Sequence, residues 1–475
     1  MKFDRILHSK TLRLGAATLM LAYCAVAAAK FKQKLNKEQQ VEQVIRRLSF
    51  GARPGDVEKV QKLGVKRWIE MQLNPDSIPE NPELEAKLAA FPTLSMSTEE
   101  LARNYPNQQT IAARGKLEQD PKPLPPRRIG IELTQAKLYR AVLSERQLQE
   151  VLTDFWFNHF NVFLDKGADR WLTTAYERDA IRPHVLGRFE DLLKATAQSP
   201  AMLFYLDNWT SITPAAGERL RRVAPKARAR GINENYAREL MELHTLGVDG
   251  GYTQKDVQEV ARCFTGWTID QPLRGGKFRF AERAHDKGEK TVLGVTIPAG
   301  GGMEDGLKVI EILARHPATA KFISRKLAQR FVADEPPASL VDRMAATYLK
   351  TDGDLKAVLQ SMFKSNEFFS TDAYKSKMKS PLEMVAGALR ATDAKVENAM
   401  AAAQAIANMG QPLYRKQEPT GYSNNGEDWL NSAGLLARIN FAVALSENKF
   451  PGVKIDRDRF ANLAKDTGAP EWQRR

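Results

Sequence analysis

The sequence predicts an all-α protein of many helices with one small inserted β-hairpin around residues 276–298. Apolar residues recur at spacings of three and four along most of the 475-residue chain, which is the period of an amphipathic helix. Alternation typical of strands is confined to residues 264–301, at Phe278 and Phe280 and again along 291–297. With 43% hydrophobic and 27% charged residues, the chain has the composition of an ordinary globular protein.

The first 29 residues have the pattern of a secretory signal peptide. Four basic residues precede an apolar run at 14–22, and the alanines at 27–29 satisfy the small-residue rule for cleavage. The apolar stretch is shorter than the roughly 20 residues that cross a bilayer as a helix. We therefore expect cleavage after Ala29, export to the periplasm or the medium, and no transmembrane span afterwards. An uncleaved N-terminal anchor is the alternative.

The net charge and the cysteine content limit which binding partners and which cysteine chemistry we expect. The formal charge of +14 would suit nucleic acid, but an exported basic protein meets anionic envelope polymers first, so we expect no nucleic acid partner. After signal cleavage Cys263 is the only cysteine, which excludes an intramolecular disulfide and a thiolate metal site. Its apolar neighbours favour a buried structural thiol over a nucleophile.

Helix signals divide the chain into segments. Residues 30–74 form an N-terminal helical unit that begins behind Asn36, and residues 75–128 form an irregular, proline-containing excursion, with a flexible linker as the alternative. Residues 129–263 and 302–448 make the main helical domain. Residues 264–301 insert the hairpin, and 449–475 are a C-terminal tail.

Four start signals mark helices within the main domain. Capping boxes are predicted at Ser144 with Gln147, at Thr253 with Asp256 and at Ser380 with Glu383, and Pro183 suits a first helical turn. Each precedes an amphipathic run. Arg182 and His184 would then lie at a helix N-terminus, where free N–H groups suit an anion, although His184 could serve only as a cap.

Candidate catalytic side chains concentrate on one predicted helix at 233–247. Glu239 and Glu242, three residues apart, lie on neighbouring surface, and two such carboxylates can divide acid and base roles if their pKa values differ. A solvated face with Arg238 paired to Glu242 is the alternative. His159 falls on the apolar stripe of its own helix, so a hydrogen-bonded core histidine is its default interpretation.

The polar turn at 285–291 is a second candidate, because function concentrates in loops. His285 and Asp286 begin it, although a plain hairpin turn also fits. Metal motifs of the helical Glu-x-x-His and His-x-x-x-His types are missing, as are phosphate-binding, dinucleotide-binding, α/β-hydrolase and covalent haem motifs. A metal site assembled from His159, His244 and His285 stays open. The sequence names no metal and no cofactor.

Several motifs together resemble an exported bacterial family catalogued as domain of unknown function number eighteen hundred. The similarity spans roughly residues 40–448, and the stretch from Asn233 through Thr253 is its most specific part. The motifs are residues 48–52, 155–160, 181–184, 202–208, 233–240, 250–253, 265–267, 285–291, 410–414 and 429–431.

The resemblance implies an all-helical exported protein without an established activity. It also implies an exported companion protein similar to sulfatases and alkaline phosphatases. It strengthens the case for a functional pocket around Asn235, Arg238 and the two glutamates, together with the His285–Asp286 pair.

Two functions fit these residues, and the sequence leaves open whether the protein is an enzyme at all. The first is an envelope hydrolase or lyase that acts on an anionic polymer or glycan. In it Glu239, Glu242, His285 and Asp286 would be catalytic. Its substrate-binding residues would be Arg182, His184, Asn235, Arg238 and His159. The second is a non-catalytic partner that binds another exported enzyme or a surface polymer, with the same polar residues fixing helix packing.

Overall fold

The computed structural model describes residues 30–107, 111, 124–223 and 231–458. The predicted signal peptide, residues 108–110, 112–123 and 224–230, and the end of the predicted C-terminal tail lie outside these residues.

Twenty α-helices occur in the described part of the chain, in agreement with the predicted fold class. The first ten are α1 Lys37–Leu48, α2 Asp56–Leu63, α3 Val65–Gln72, α4 Pro82–Ala89, α5 Thr98–Asn104, α6 Arg127–Leu143, α7 Gln147–His159, α8 Asp169–Ala175, α9 Phe189–Ala197 and α10 Pro200–Tyr205. The others are α11 Pro214–Val223, α12 Glu234–Glu239, α13 Gln254–Cys263, α14 Met303–Ala314, α15 Pro317–Phe331, α16 Ala338–Lys350, α17 Leu355–Phe363, α18 Pro381–Ala391, α19 Met400–Asn408 and α20 Ser432–Ser446.

Two helices continue into a wider π-helical turn. Tyr176–Ile181 follows α8, and Leu240–Thr245 follows α12. In each turn a backbone N–H bonds five residues back, from Arg182 to the Glu177 carbonyl and from Leu246 to the Met241 carbonyl. Such turns are rare in proteins overall, but those that occur are frequently found at functional sites.

Three predicted helix starts are confirmed by their hydrogen bonds. Asn36, Thr253 and Ser380 are N-caps, and each forms a capping box in which side chain and backbone bond reciprocally over three residues. Gly64, which follows the run ending at Leu63, closes α2 with a bond from its N–H to the Val60 carbonyl. The local signals are sufficient here because both partners lie within one turn of sequence.

Two predicted helix starts are wrong. Ser144 does not form the predicted capping box with Gln147: its hydroxyl donates to Glu80 Oε2 (2.8 Å) and accepts the Arg146 N–H (3.0 Å), and α7 begins only at Gln147. Arg182–His184 is a short 3₁₀ turn that closes the π-helical turn before it, so its backbone is not a free helix N-terminus. In the first case the carboxylate of the distant Glu80 outweighs the local signal. In the second case the preceding π-helical turn does.

The segment 75–128 contains more helix than its proline content suggested. Helices α4 and α5 occupy its described part, and Asn81 and Ser97 cap them through side-chain bonds to the backbone. Pro121 and Pro123 lie outside the described residues. Pro126 directly precedes α6 and suits that position, because the first helical N–H groups need no partner within the helix.

The inserted region is two hairpins rather than one. Strand β1 (Trp267–Ile269) pairs antiparallel with β2 (Phe278–Phe280), and β3 (Lys290–Val292) pairs with β4 (Val295–Ile297). A third two-stranded pair joins β5 (Lys395–Val396) to β6 (Val453–Lys454). The strand residues Phe278 and Phe280 were predicted correctly. Their partner strand is the preceding segment Trp267–Ile269, which pairs there because Trp267 and Ile269 bury their side chains.

The hydrophobic core runs through most of the helices and includes the hairpins. Trp156 of α7 stacks with Phe160 and packs at a tilt against Phe189, while Trp267 of β1 packs edge-on against Phe264. Cys263 is fully buried, as predicted for a structural thiol, and burial raises its pKa to about 12.

Helix α20 differs from the others because apolar side chains face outward. Leu435, Leu436, Ile439 and Val443 are about half exposed, while Phe441 and Leu445 pack inward. Among the described residues, no helix is both long and apolar enough to cross a membrane.

Candidate functional site

The site centres on α12 and the π-helical turn that follows it. The Asn233 side chain accepts the Asn235 backbone N–H (2.9 Å), which starts the helix as predicted, and Gly247 with φ +82° allows the chain to turn away after it. Glu239 is the last residue of α12, and Glu242 lies within the wider turn. The predicted carboxylates therefore flank a change of helix type.

Glu239 is the carboxylate in the more unusual environment. It is half-buried, and within the described residues its side chain makes no hydrogen bond or salt bridge. Burial raises the pKa of Glu239, Glu242 raises it further, and Arg238 only partly opposes them. This carboxyl group therefore holds a proton more readily than an exposed glutamate does.

Glu242 is held by a tyrosine. The Tyr252 hydroxyl donates a hydrogen bond of 2.9 Å to Glu242 Oε2. Burial and this bond raise the pKa of Tyr252 to about 12, so the phenol keeps its proton near neutral pH. The two glutamates thus have different surroundings, which is the arrangement that lets one carboxyl act as acid and the other as base.

Arg238 lies beside the two carboxylates. Its Nη2 donates to Gln254 Oε1 (2.8 Å) and lies 3.7 Å from Glu234 Oε2, so the expected Arg238–Glu242 pair is replaced by one toward the helix start. The Arg238 side chain remains 41% exposed. Asn235 is exposed, with its amide 3.4 Å from the Leu206 carbonyl.

His285 is fixed inside the protein. Its Nδ1 lies 2.8 Å from the Thr265 carbonyl oxygen, and its Nε2 lies 3.1 Å from Asp305 Oδ2. The buried Lys290 donates to the same Asp305 oxygen at 2.6 Å. Both ring nitrogens are therefore occupied by internal partners.

Asp286 is also engaged. Arg262 Nε and Nη2 donate to its two carboxylate oxygens at 2.9 and 3.1 Å, and the Gly288 N–H donates at 2.9 Å. Burial alone would raise the pKa of Asp286, but these donors lower it below its usual value. The His285–Asp286 pair stabilises the turn, as a packing network would.

Arg182 belongs to a separate buried ionic network. Its guanidinium bonds both Glu150 oxygens, at 2.6 and 3.0 Å, and lies 3.5 Å from Glu177. Lys137 joins Glu177 (3.7 Å) to Asp154 (2.7 Å). With Arg140, which lies 3.9 Å from Glu150, the network has three cations and three carboxylates, so its charges balance.

The predicted histidines do not meet at one centre. His159 is a core histidine, as expected, with Nε2 3.0 Å from the His244 carbonyl oxygen and the two ring centroids 6.1 Å apart. Burial lowers the pKa of both rings, that of His244 to about 3. His184 is half-buried, and burial lowers its pKa. No cluster of three or more metal-ligating side chains occurs among the described residues.

The comparisons with known proteins place the chain in a family. A family profile described as protein of unknown function (DUF1800) matches residues 43–473. The chain belongs to the DUF1800 family. No curated protein and no solved structure matches it.

Membership of the DUF1800 family confirms the resemblance without adding an activity. The matched range includes α12, its π-helical turn and the His285 network. Tyr252 and Gln254 complete the site, although neither was predicted to belong to it. The only signal for them was that Tyr252 lies within the most specific motif.

Proposed function

We propose that this DUF1800 protein is an exported enzyme that cleaves an anionic polymer or glycan by acid/base catalysis at Glu239 and Glu242. The observation that carries the proposal is the Glu239 carboxyl group, which is half-buried, has no bonding partner among the described residues and has a raised pKa. A general acid in catalysis needs a carboxyl group with a raised pKa at an accessible position.

The surrounding residues suit the remaining steps. Glu239 gives its proton to the leaving oxygen of the bond that breaks. Glu242, oriented by the Tyr252 hydroxyl, takes a proton from water in a hydrolase or from the carbon beside a sugar carboxylate in a lyase. Arg238, exposed next to them, binds the negative charge of the polymer.

The test compares Glu239→Gln with Glu234→Gln. Both changes remove one carboxylate from α12, but Glu234 already bonds Gln254 and lies near Arg238. Purified protein is incubated with anionic envelope polysaccharide, and new reducing ends and unsaturated sugar ends are measured. We expect product with the wild type and with Glu234→Gln, and a loss of about a hundredfold or more with Glu239→Gln. Equal rates in all three proteins would contradict the proposal.

A non-catalytic binding role is the second candidate. It is favoured by His285, Asp286 and Arg182, whose polar side-chain groups all bond internal partners. The partner would be the exported sulfatase- or phosphatase-like companion, or a surface polymer. Absence of any product, together with saturable binding of the purified companion by calorimetry, would favour this role over catalysis.

Export is part of the same proposal. The sequence pattern at 1–29 supports it, with cleavage after Ala29. N-terminal sequencing of the protein from a periplasmic fraction is expected to begin at Lys30. Recovery of the chain with Met1 intact in the cytoplasm would contradict export.

A further inference from the structure

A cleft distinct from the Glu239 site lies between the start of α11 and the turn at 281–288. It encloses about 690 Å³. Three cations line it, Arg219 from α11 and Arg283 and Lys287 from the turn, and all three are exposed. The acidic residues of its wall are Glu282 and Asp286.

The acidic groups of the cleft are already neutralised. Arg262, from behind the turn, binds both oxygens of Asp286, and Lys287 donates to Glu282 at 2.6 Å. Arg219 and Arg283 make no salt bridge or side-chain hydrogen bond within the described residues. Both guanidinium groups line the cleft and remain able to pair with an anion there.

The cleft is held in shape before any ligand arrives. The Thr213 N–H donates to the Ala284 carbonyl (3.0 Å), which joins the start of α11 to the turn. The Thr213 hydroxyl accepts the Ala216 N–H (3.2 Å), and His285 anchors the turn from inside. Because the backbone that carries Arg219 and Arg283 is held in place, binding has to order only their side chains, which limits the entropic cost.

The lining also indicates the kind of anion. No Phe, Trp or Tyr side chain lines the cleft in the described part of the chain. Single-stranded nucleic acids are usually held by stacking of bases on such rings, whereas charge pairing alone can hold a sugar chain that carries repeated carboxylate or sulfate groups. An anionic polysaccharide therefore fits the cleft better.

We propose that this cleft is a binding site for an anionic polysaccharide, with Arg219 and Arg283 as the residues that hold the acidic groups. The proposal goes beyond the acid/base chemistry at Glu239, because it concerns other residues and holds whether or not the protein cleaves its ligand.

The test measures binding of polygalacturonate, dextran sulfate, neutral dextran and an oligothymidylate to the full protein by calorimetry. The variant is Arg219→Ser with Arg283→Ser. The matched control is Lys66→Ser with Arg67→Ser on α3, which removes the same charge from two exposed positions elsewhere. Circular dichroism confirms the fold of each variant.

We expect both anionic polysaccharides to bind the wild type and the control alike, and to bind the cleft variant at least about tenfold more weakly. Neutral dextran should not bind. Equal weakening in both double variants would mean a general charge effect and would overturn the site. Tighter binding of the oligothymidylate through the same arginines would overturn the polysaccharide class. Product formation by Glu239→Gln is measured in its own assay, so failure of the catalytic proposal is seen separately.

Discussion

Lys290 and Asp305 form an ion pair in the interior, with Nζ 2.6 Å from Oδ2 and side chains that are 0% and 3% exposed. The same Asp305 oxygen lies 3.1 Å from His285 Nε2. The pair connects β3 to α14 and supports the turn on which the cleft is built. Its charges are buried together, so each depends on the other to remain in the protein interior.

The change Asp305→Asn is expected to lower the free energy of unfolding by about 3–5 kcal/mol, because it leaves Lys290 as a buried cation without a counter-charge. Urea denaturation measures the loss. Asp342→Asn is the control, since Asp342 pairs with Lys321 at 3.2 Å on the surface and its loss should cost at most about 1 kcal/mol. Equal effects of the two changes would contradict the buried-pair interpretation.

Asp169 should make stability depend on pH. Its carboxyl oxygens are buried, neither has a hydrogen-bond partner among the described residues, and burial raises its pKa well above 3.8. The folded state therefore holds this proton at a pH where the unfolded chain has released it. The contribution to stability is intact below pH 3.8 and falls by up to about 1.4 kcal/mol per pH unit above it, until the folded pKa is passed.

Replacing Asp169 by Asn removes this loss of stability with rising pH. We expect Asp169→Asn to be more stable than the wild type at pH 7, with a flatter decrease between pH 4 and pH 7. Urea unfolding at several pH values gives both quantities. Asp191→Asn, at an exposed carboxylate, should keep the wild-type slope. A steeper slope in Asp169→Asn would exclude the explanation.

Gly306 on α14 is expected to tolerate no larger side chain. A Cβ atom there would lie 2.6 Å from Cζ2 of the fully buried Trp267. Gly306→Ala should destabilise the protein by about 1–3 kcal/mol, because the indole and the helix must move apart. Thermal unfolding measures it. Gly231→Ala, where a Cβ meets no atom of the described residues within 4 Å, should change stability by about 0.5 kcal/mol or less.

The coupling of the two glutamates can be measured directly. Since Glu242 raises the pKa of Glu239 after burial has done so, Glu242→Gln should lower the pKa of Glu239 toward 4.5 without reaching it. Carbon-detected NMR titration of labelled glutamate follows that carboxyl group. Glu234→Gln should leave the pKa of Glu239 unchanged, because Glu234 does not act on that carboxyl group. No change in Glu242→Gln would mean that burial alone is responsible.

Local signals predicted much of the fold because their partners are close in sequence. The capping boxes at Thr253 and Ser380 need only residues three positions apart, and both are present. The prediction at Ser144 is wrong because its hydroxyl bonds Glu80, a residue far away in the chain. Strand pairing has the same limit, since alternation marks Phe278 as strand but not Trp267–Ile269 as its partner.

The candidate site was predictable in part for the same reason. Glu239 and Glu242 share one helical segment, so their spacing alone brought them together. The engagement of His285 depends on Asp305, which arrives from the next helix, and that of Arg182 depends on Glu150 from another. No pattern within either motif carries that information.

The wider turn at Leu240–Thr245 alters the helical phase of everything that follows it. Its backbone bond spans five residues, from Leu246 to Met241, so the turn accommodates one residue more than an α-helix would. Each residue of an α-helix turns the chain by about 100°, so Thr245 and Leu246 occupy faces that an uninterrupted helical wheel assigns to their neighbours. The turn at Tyr176–Ile181 does the same after α8. Each of the two turns therefore inserts one backbone residue, and these insertions set the orientation of the elements around them. A change of side chain alone would not do this.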